Sequence, residues 1–151
     1  MNISIKKFQP GYRDAMIEIW EQSVRATHHF LELEDIDFYK TLVLGIDFTS
    51  FDCYCVFDQS DEMIGIMGIA NKKLEMLFLK PSVIGTGVGR KLMEFILNEL
   101  KVNKVDVNEG NTNAVNFYKK FGFQVYERTP LDDSGKPYPI LRMKINAYSN
   151  D

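Results

Sequence analysis

Leu77-Phe78-Leu79-Lys80-Pro81-Ser82-Val83-Ile84-Gly85-Thr86-Gly87-Val88-Gly89-Arg90 reads as an apolar strand, a turn with glycine at alternate positions, and the opening of a helix. Glycine reaches φ > 0 and has no Cβ, so a run of this kind lets backbone N–H groups crowd around an anion. The helix start adds unpaired donors and the positive end of the dipole, which together make a phosphate cradle. Two other phosphate binders do not fit. The P-loop needs Gly-Lys-Ser/Thr after a four-residue gap, and the dinucleotide fingerprint needs Gly-x-Gly-x-x-Gly. This chain has Gly-x-Gly-x-Gly. The plain alternative is a glycine-rich turn that only packs.

Downstream, Leu92, Met93, Phe95, Ile96 and Leu100 recur at helical spacing, which predicts a helix over 88–101. A short strand over 104–108 follows, then a helix over 114–121 carrying Val115, Phe117, Tyr118 and Phe121, stopped by Gly122. Strands over 124–129 and 140–145 close the pattern, joined by a loop with Asp132, Asp133, Gly135 and Pro137. Upstream, strands are expected over 52–58, 63–70 and 74–79, the last ended by Pro81. Gly65 and Gly68 inside the middle one suggest a bulge or a close approach by another group. Amphipathic helices over 14–25 and 35–44, and a first strand around Ile3 and Ile5, complete the order. The fold class is therefore mixed α/β (α+β), with helices packed on a mixed sheet.

The chain has 151 residues, 45% of them hydrophobic, with 11 Phe and 7 Tyr, which suits one domain with a substantial core. We assign it to 1–146, with 147–151 as a short tail. The net charge of −3 comes without a basic block, which argues against nucleic acid. No signal-peptide h-region is present, and no apolar run approaches the roughly 20 residues a membrane span needs. Cys53 and Cys55 share one strand face, badly placed for a disulfide, and no further cysteine completes a metal site. They read as two semi-buried thiols in a reducing, cytoplasmic setting.

The glycine segment resembles the acetyl-CoA motif of the GNAT superfamily of N-acetyltransferases, Gln/Arg-x-x-Gly-x-Gly/Ala after a strand, with Gly87 and Gly89 at the small positions. Asn111-Thr112-Asn113-Ala114-Val115-Asn116-Phe117-Tyr118-Lys119-Lys120-Phe121-Gly122-Phe123 resembles the family's second signature, Asn-x-x-Ala-x-x-Phe/Leu-Tyr-x-x-x-Gly-Phe. The chain is most similar to the YjaB-like bacterial branch, through 26–31 (Ala-Thr-His-His-Phe-Leu) and 135–139 (Gly-Lys-Pro-Tyr-Pro). One departure is Ile84, where the family has Gln or Arg; a side-chain contact is lost there, while a cradle of backbone amides does not depend on it.

The resemblance implies a mostly antiparallel sheet of about six to seven strands, splayed where acetyl-CoA binds, with helices on both faces. It implies direct acetyl transfer from acetyl-CoA, without a metal, to a primary amine of a small molecule or protein. The amides of Gly85, Thr86, Gly87, Val88, Gly89 and Arg90 would hold the pyrophosphate. The backbone of Leu77, Phe78 and Leu79 would receive the pantetheine arm and polarise the thioester carbonyl. Asn111 would contact that arm, and Tyr118 would also touch the cofactor and protonate the departing thiolate. Glu75, which strict alternation would place on the face of Leu77 and Leu79, is a candidate base, as are His28 and water. His28, His29, Phe30 and Tyr138 are candidates for the acceptor pocket. An exposed strand edge would allow a homodimer. A non-catalytic CoA-binding sensor is the second functional expectation.

Overall fold

The computed structural model describes residues 2–145, so the expected domain limit at 146 and the tail 147–151 lie outside the described residues. Strand β1 (Ser4–Lys7) leads through a 3-10 turn into helix α1 (Arg13–Thr27) and helix α2 (Leu33–Leu44). Three antiparallel strands follow: β2 (Asp52–Phe57), β3 (Met63–Ala70) and β4 (Lys73–Leu79). Then come α3 (Val88–Asn98), β5 (Lys104–Asn108), α4 (Thr112–Lys120), β6 (Gln124–Thr129) and β7 (Ile140–Lys144). The sheet order is β1-β2-β3-β4-β5-β7-β6, and only β4 and β5 run parallel.

Helices cover both faces because both faces are apolar. On one side Met16, Ile19, Trp20 and Val24 of α1 and Ile36 and Val43 of α2 pack against Cys53, Cys55 and Ile66. On the other, Leu92, Met93 and Ile96 of α3 and Val115 and Tyr118 of α4 pack against Met67, Leu74, Val105 and Met143. Strand β3, sandwiched in the middle, is buried along nearly its whole length. The two thiols are free and more deeply buried than expected, Cys53 5% and Cys55 0% exposed, because they face α1. That burial pushes their pKa values up to about 11 and about 12.

Both expectations for the β3 glycines hold. A Cβ on Gly68 would lie 2.5 Å from the Phe51 ring, and the β3–β4 register shifts immediately after it. Helix α3 stops short of the predicted 101. The N–H groups of Leu100 and Val102 turn back to Phe95 and Ile96, and Lys101 takes a left-handed φ of 55° that swings the chain into β5.

One ion cluster ties the sheet together beside its parallel pair. Asp106 of β5 accepts from Lys73 of β4 and, at 2.6 Å, from Arg142 of β7, whose other nitrogen reaches Asp133 at 3.0 Å. Lys73, Asp106 and Arg142 are only 29%, 19% and 16% exposed, so their charges are weakly screened. Asp106→Asn should lower unfolding stability by about 1–3 kcal/mol, read from the urea midpoint, because two partly buried cations lose their shared anion.

Candidate active site

Strands β4 and β5 pair at Lys73 with Lys104 and at Leu74 with Val105, and no further. Beyond those residues they diverge, and a cavity of about 550 Å³ opens between them. The β4 edge that faces β5 therefore has no strand partner past Leu74, which leaves backbone donors and acceptors for an extended ligand. Leu77, Phe78 and Leu79 line the opening as expected.

Strict alternation does not carry through Glu75. Leu74 sits opposite Ile69 and Met76 opposite Gly68, so Glu75 is the extra residue of a β-bulge. Leu74, Leu77 and Leu79 consequently pack on the α3/α4 side, while Met76 and Phe78 pack on the α1/α2 side. Alternation is intact from Met76 to Leu79, so the residue out of period is Leu74, which the bulge brings onto the side of Leu77 and Leu79. Glu75 still lines the cavity. Among the described residues no cation lies within salt-bridge distance of it; Lys73 acts on it only through the longer-range field. The other lining carboxylate, Asp106, is already neutralised by Lys73 and Arg142.

The glycine turn forms one end of the cavity. Gly85 and Gly87 adopt φ of 82° and 93°, which L side chains rarely reach, and Gly87 is the N-cap of α3 with no side-chain cap bond. The amides of the first turn of α3 are thus left for an anion. Gly85, Gly87, Gly89 and Arg90 line the cavity; Thr86 and Val88 do not. Thr86 spends both its N–H and its hydroxyl on the Val83 carbonyl, and the Val88 side chain is 1% exposed in the core. Four of the six expected residues thus line the cavity, and the other two turn their side chains into the fold. A Cβ on Gly89 would stand 3.4 Å from the Phe117 ring and 3.7 Å from Leu79, ordinary contact distances, so the third glycine sits where α3 meets α4 and β4 without a steric demand for glycine. Ile84, 45% exposed, lines the mouth.

Helix α4 delivers Tyr118 to the cavity through two caps. Asn111 accepts at Oδ1 from the Ala114 N–H at 3.3 Å and also lines the cavity. At the other end the Phe123 N–H bonds to the Tyr118 carbonyl and the Gly122 N–H to that of Lys119, with Gly122 at φ 98°. This is a Schellman closure, completed by Phe123 meeting Tyr118 edge to face with ring centroids 5.9 Å apart. The Gly-Phe of the second signature is thus what fixes the tyrosine. Tyr118 is 7% exposed, and burial holds its pKa well above the ordinary phenol value, so it is a protonated donor at neutral pH. Among the described residues no protein group bonds its hydroxyl and no fully buried side-chain oxygen lacks a partner, so that hydroxyl opens onto the cavity.

The end of α1 forms the opposite wall with Ser23, Thr27 and His28. Burial, reinforced by the charge of His29, lowers the His28 pKa to about 4. His29, Phe30 and Tyr138 do not line the cavity. Phe30 lies between His28 and Tyr138, with centroids 5.3 and 6.0 Å away, and fills the space over Gly110, where a Cβ would meet its ring at 2.7 Å. The Tyr138 hydroxyl donates to Asp35 and accepts from the Glu32 N–H at 3.2 Å. Lys136 bonds the same Asp35 at 2.8 Å, and Tyr39 donates to Asp132. These residues strap the β6–β7 loop to α2 and back the site from outside. Sequence reasoning missed Ser23, Thr27, Asp106 and Asn113 among the lining residues. Thr27 and Asn113 lie within the stretches that resemble the family, at positions given no role, and Ser23 and Asp106 lie outside them, since their place depends on which elements meet at the split.

Residues 48–144 match the family model described as acetyltransferase (GNAT) domain. Peptidyl-lysine N-acetyltransferase YjaB of Salmonella typhimurium is 39% identical over 151 residues, covering 95% of this chain and 98% of that protein. The solution structure of apo-form YjaB from Escherichia coli superposes with a TM-score of 0.86 at 37% identity, covering 95% and 97% of the two chains. The PaiA N-acetyltransferase of Thermoplasma acidophilum, solved in complex with coenzyme A, shares the fold at a TM-score of 0.67 and 22% identity, with 95% and 99% covered.

His28 also gives the site a signature in stability. Its pKa is near 4 folded and near the ordinary 6.5 unfolded, so between these values the unfolded chain binds the extra proton. The stabilising contribution is complete above pH 6.5 and is lost as pH falls toward 4. His28→Gln should flatten that part of the melting temperature against pH curve, measured by calorimetry from pH 4 to 7.

Proposed function

The chain belongs to the GNAT acetyltransferases and is an acetyl-CoA-dependent N-acetyltransferase, and on that premise we propose that its acceptor is the ε-amine of a peptidyl lysine. Two relatives similar along nearly their whole length, from Salmonella typhimurium and Escherichia coli, are named peptidyl-lysine N-acetyltransferases, which supports this acceptor class. The observation that carries the reading is one continuous cavity. It joins an uncapped helix start, a free strand edge, a buried phenol and a carboxylate that no cation among the described residues pairs with.

Each part suits one component of the reaction. The first-turn amides of α3 and the Arg90 guanidinium suit the diphosphate of acetyl-CoA, and the open edge of β4 suits its amide-bearing arm. Acetyl-CoA supplies an acetyl thioester. Glu75 draws a cationic amine toward the split, where its charge has no competing partner among the described residues. Tyr118 holds its proton until the sulfur departs, then donates it. A phenol whose pKa is raised by burial remains a usable acid here, because the same dry surroundings also raise the proton affinity of the leaving thiolate. Orienting the two substrates along one split adds to the rate. Two free thiols buried in the core agree with a reducing cytoplasm as the working compartment. Among the described residues no helix is long and apolar enough to cross a membrane.

Free thiol release from acetyl-CoA should depend on added lysine-containing peptide. Tyr118→Phe should lower kcat at least about tenfold while leaving acetyl-CoA affinity within about threefold, by calorimetric titration. Release driven by polyamines or small amines, with lysine peptides inert, would overturn the acceptor assignment.

A further inference from the structure

Two short contacts at the end of α1 share a single oxygen. Thr27 Oγ1 lies 2.7 Å from the Ser23 carbonyl oxygen and 2.7 Å from His28 Nδ1. A hydroxyl has one proton and a carbonyl can only accept, so the Thr27 O–H donates to Ser23. The second contact is then attractive only if Nδ1 carries the imidazole proton and donates to Thr27. A neutral ring has one N–H, which leaves Nε2 with a lone pair. Among the described residues no protein group bonds Nε2, and His28 lines the same cavity as Glu75 and Tyr118.

The ring has little freedom to take another pose. The His28 N–H bonds to the Val24 carbonyl at 2.8 Å, which anchors its backbone as the C-cap of α1, and the Phe30 ring packs against the imidazole. The Ser23 carbonyl that orients Thr27 is part of the helix backbone, so the tautomer is set from a rigid element. We propose that Thr27 is a positioning residue that locks His28 as the Nδ1–H tautomer and so presents Nε2 to the attacking amine as its proton acceptor. The proposal rests on the acetyltransferase reading above.

The protons balance. The ammonium loses its first proton to solvent, the N–C bond forms as the C–S bond breaks, and the second proton passes from nitrogen to Nε2. Tyr118 protonates the sulfur. His28 then releases its proton to water and Tyr118 regains one. A ring of low basicity suits this step, because the nitrogen becomes strongly acidic only once it is bonded to the acetyl carbon. His29, on its own segment, is the charged group that acts on the ring; of the other titratable groups lining the cavity, Glu75 comes from β4, Asp106 from β5, already paired with Lys73 and Arg142, and Tyr118 from α4. With its pKa at about 4, His28 stays in the accepting state throughout the neutral range.

The chain has only two histidines, so long-range ¹H–¹⁵N correlation spectra of the full chain labelled at histidine report both rings, with His29→Asn assigning them. His28 should appear as Nδ1–H in the wild type, move toward Nε2–H in Thr27→Val, and return in Thr27→Ser. With a lysine peptide, kcat should fall at least about tenfold in Thr27→Val, with KM for acetyl-CoA unchanged, and recover in Thr27→Ser. An Nε2–H ring in the wild type, or full turnover in Thr27→Val, overturns the assignment while leaving the acetyltransferase reading intact. A wild type inert toward every amine overturns both.

Discussion

Everything at the site depends on a parallel strand pair that is abandoned after two residues. Lys73 and Leu74 hold β5 at Lys104 and Val105, and the strands then separate. Each of their remaining backbone groups needs a partner, and a site that withholds one from its own sheet reserves it for a ligand. The Lys73–Asp106–Arg142 cluster clasps β4, β5 and β7 beside the join, so the opening has a closed root instead of running through the sheet. The bulge at Glu75 belongs to the same device. An extra residue there bends β4 away from β5 and turns a carboxylate into the gap.

The helices around the split serve as precise mounts. Helix α3 begins at a left-handed glycine that has no side chain to cap its amides, and α4 ends in a glycine turn that sets Phe123 edge to face against Tyr118. Helix α1 ends in a hydroxyl that bridges its own backbone to His28. In all three cases a helix terminus, where backbone bonding is incomplete, meets the cavity. Functional groups gather there because termini are where local bonding can be redirected without costing the core.

Much of this was legible in the order of residues. The alternating glycines, Asn111, Tyr118 and the Gly-Phe pair are local signals whose consequence, a turn or a cap, follows within a few residues. Strand and helix periods placed nearly every element, and the faults fell at ends, as at 99–101, where a reversed φ at Lys101 ends the helix before its apolar pattern does. The outer wall was less legible. Tyr138 and Phe30 looked like pocket residues by neighbourhood, but Asp35, Glu32 and Gly110, all distant in sequence, claim their hydroxyl and ring.

The amino-acid order by itself thus determined the glycine turn that opens α3, the capped tyrosine and the mixed sheet, because each rests on backbone conformation and short-range periodicity. Only the tertiary structure decided which carboxylate is neutralised, that a bulge interrupts β4 at Glu75, and which proton His28 carries. Those depend on contacts such as Lys73 with Asp106, or on one hydroxyl shared between two partners, and neither charge state nor tautomer is a property of a residue read alone.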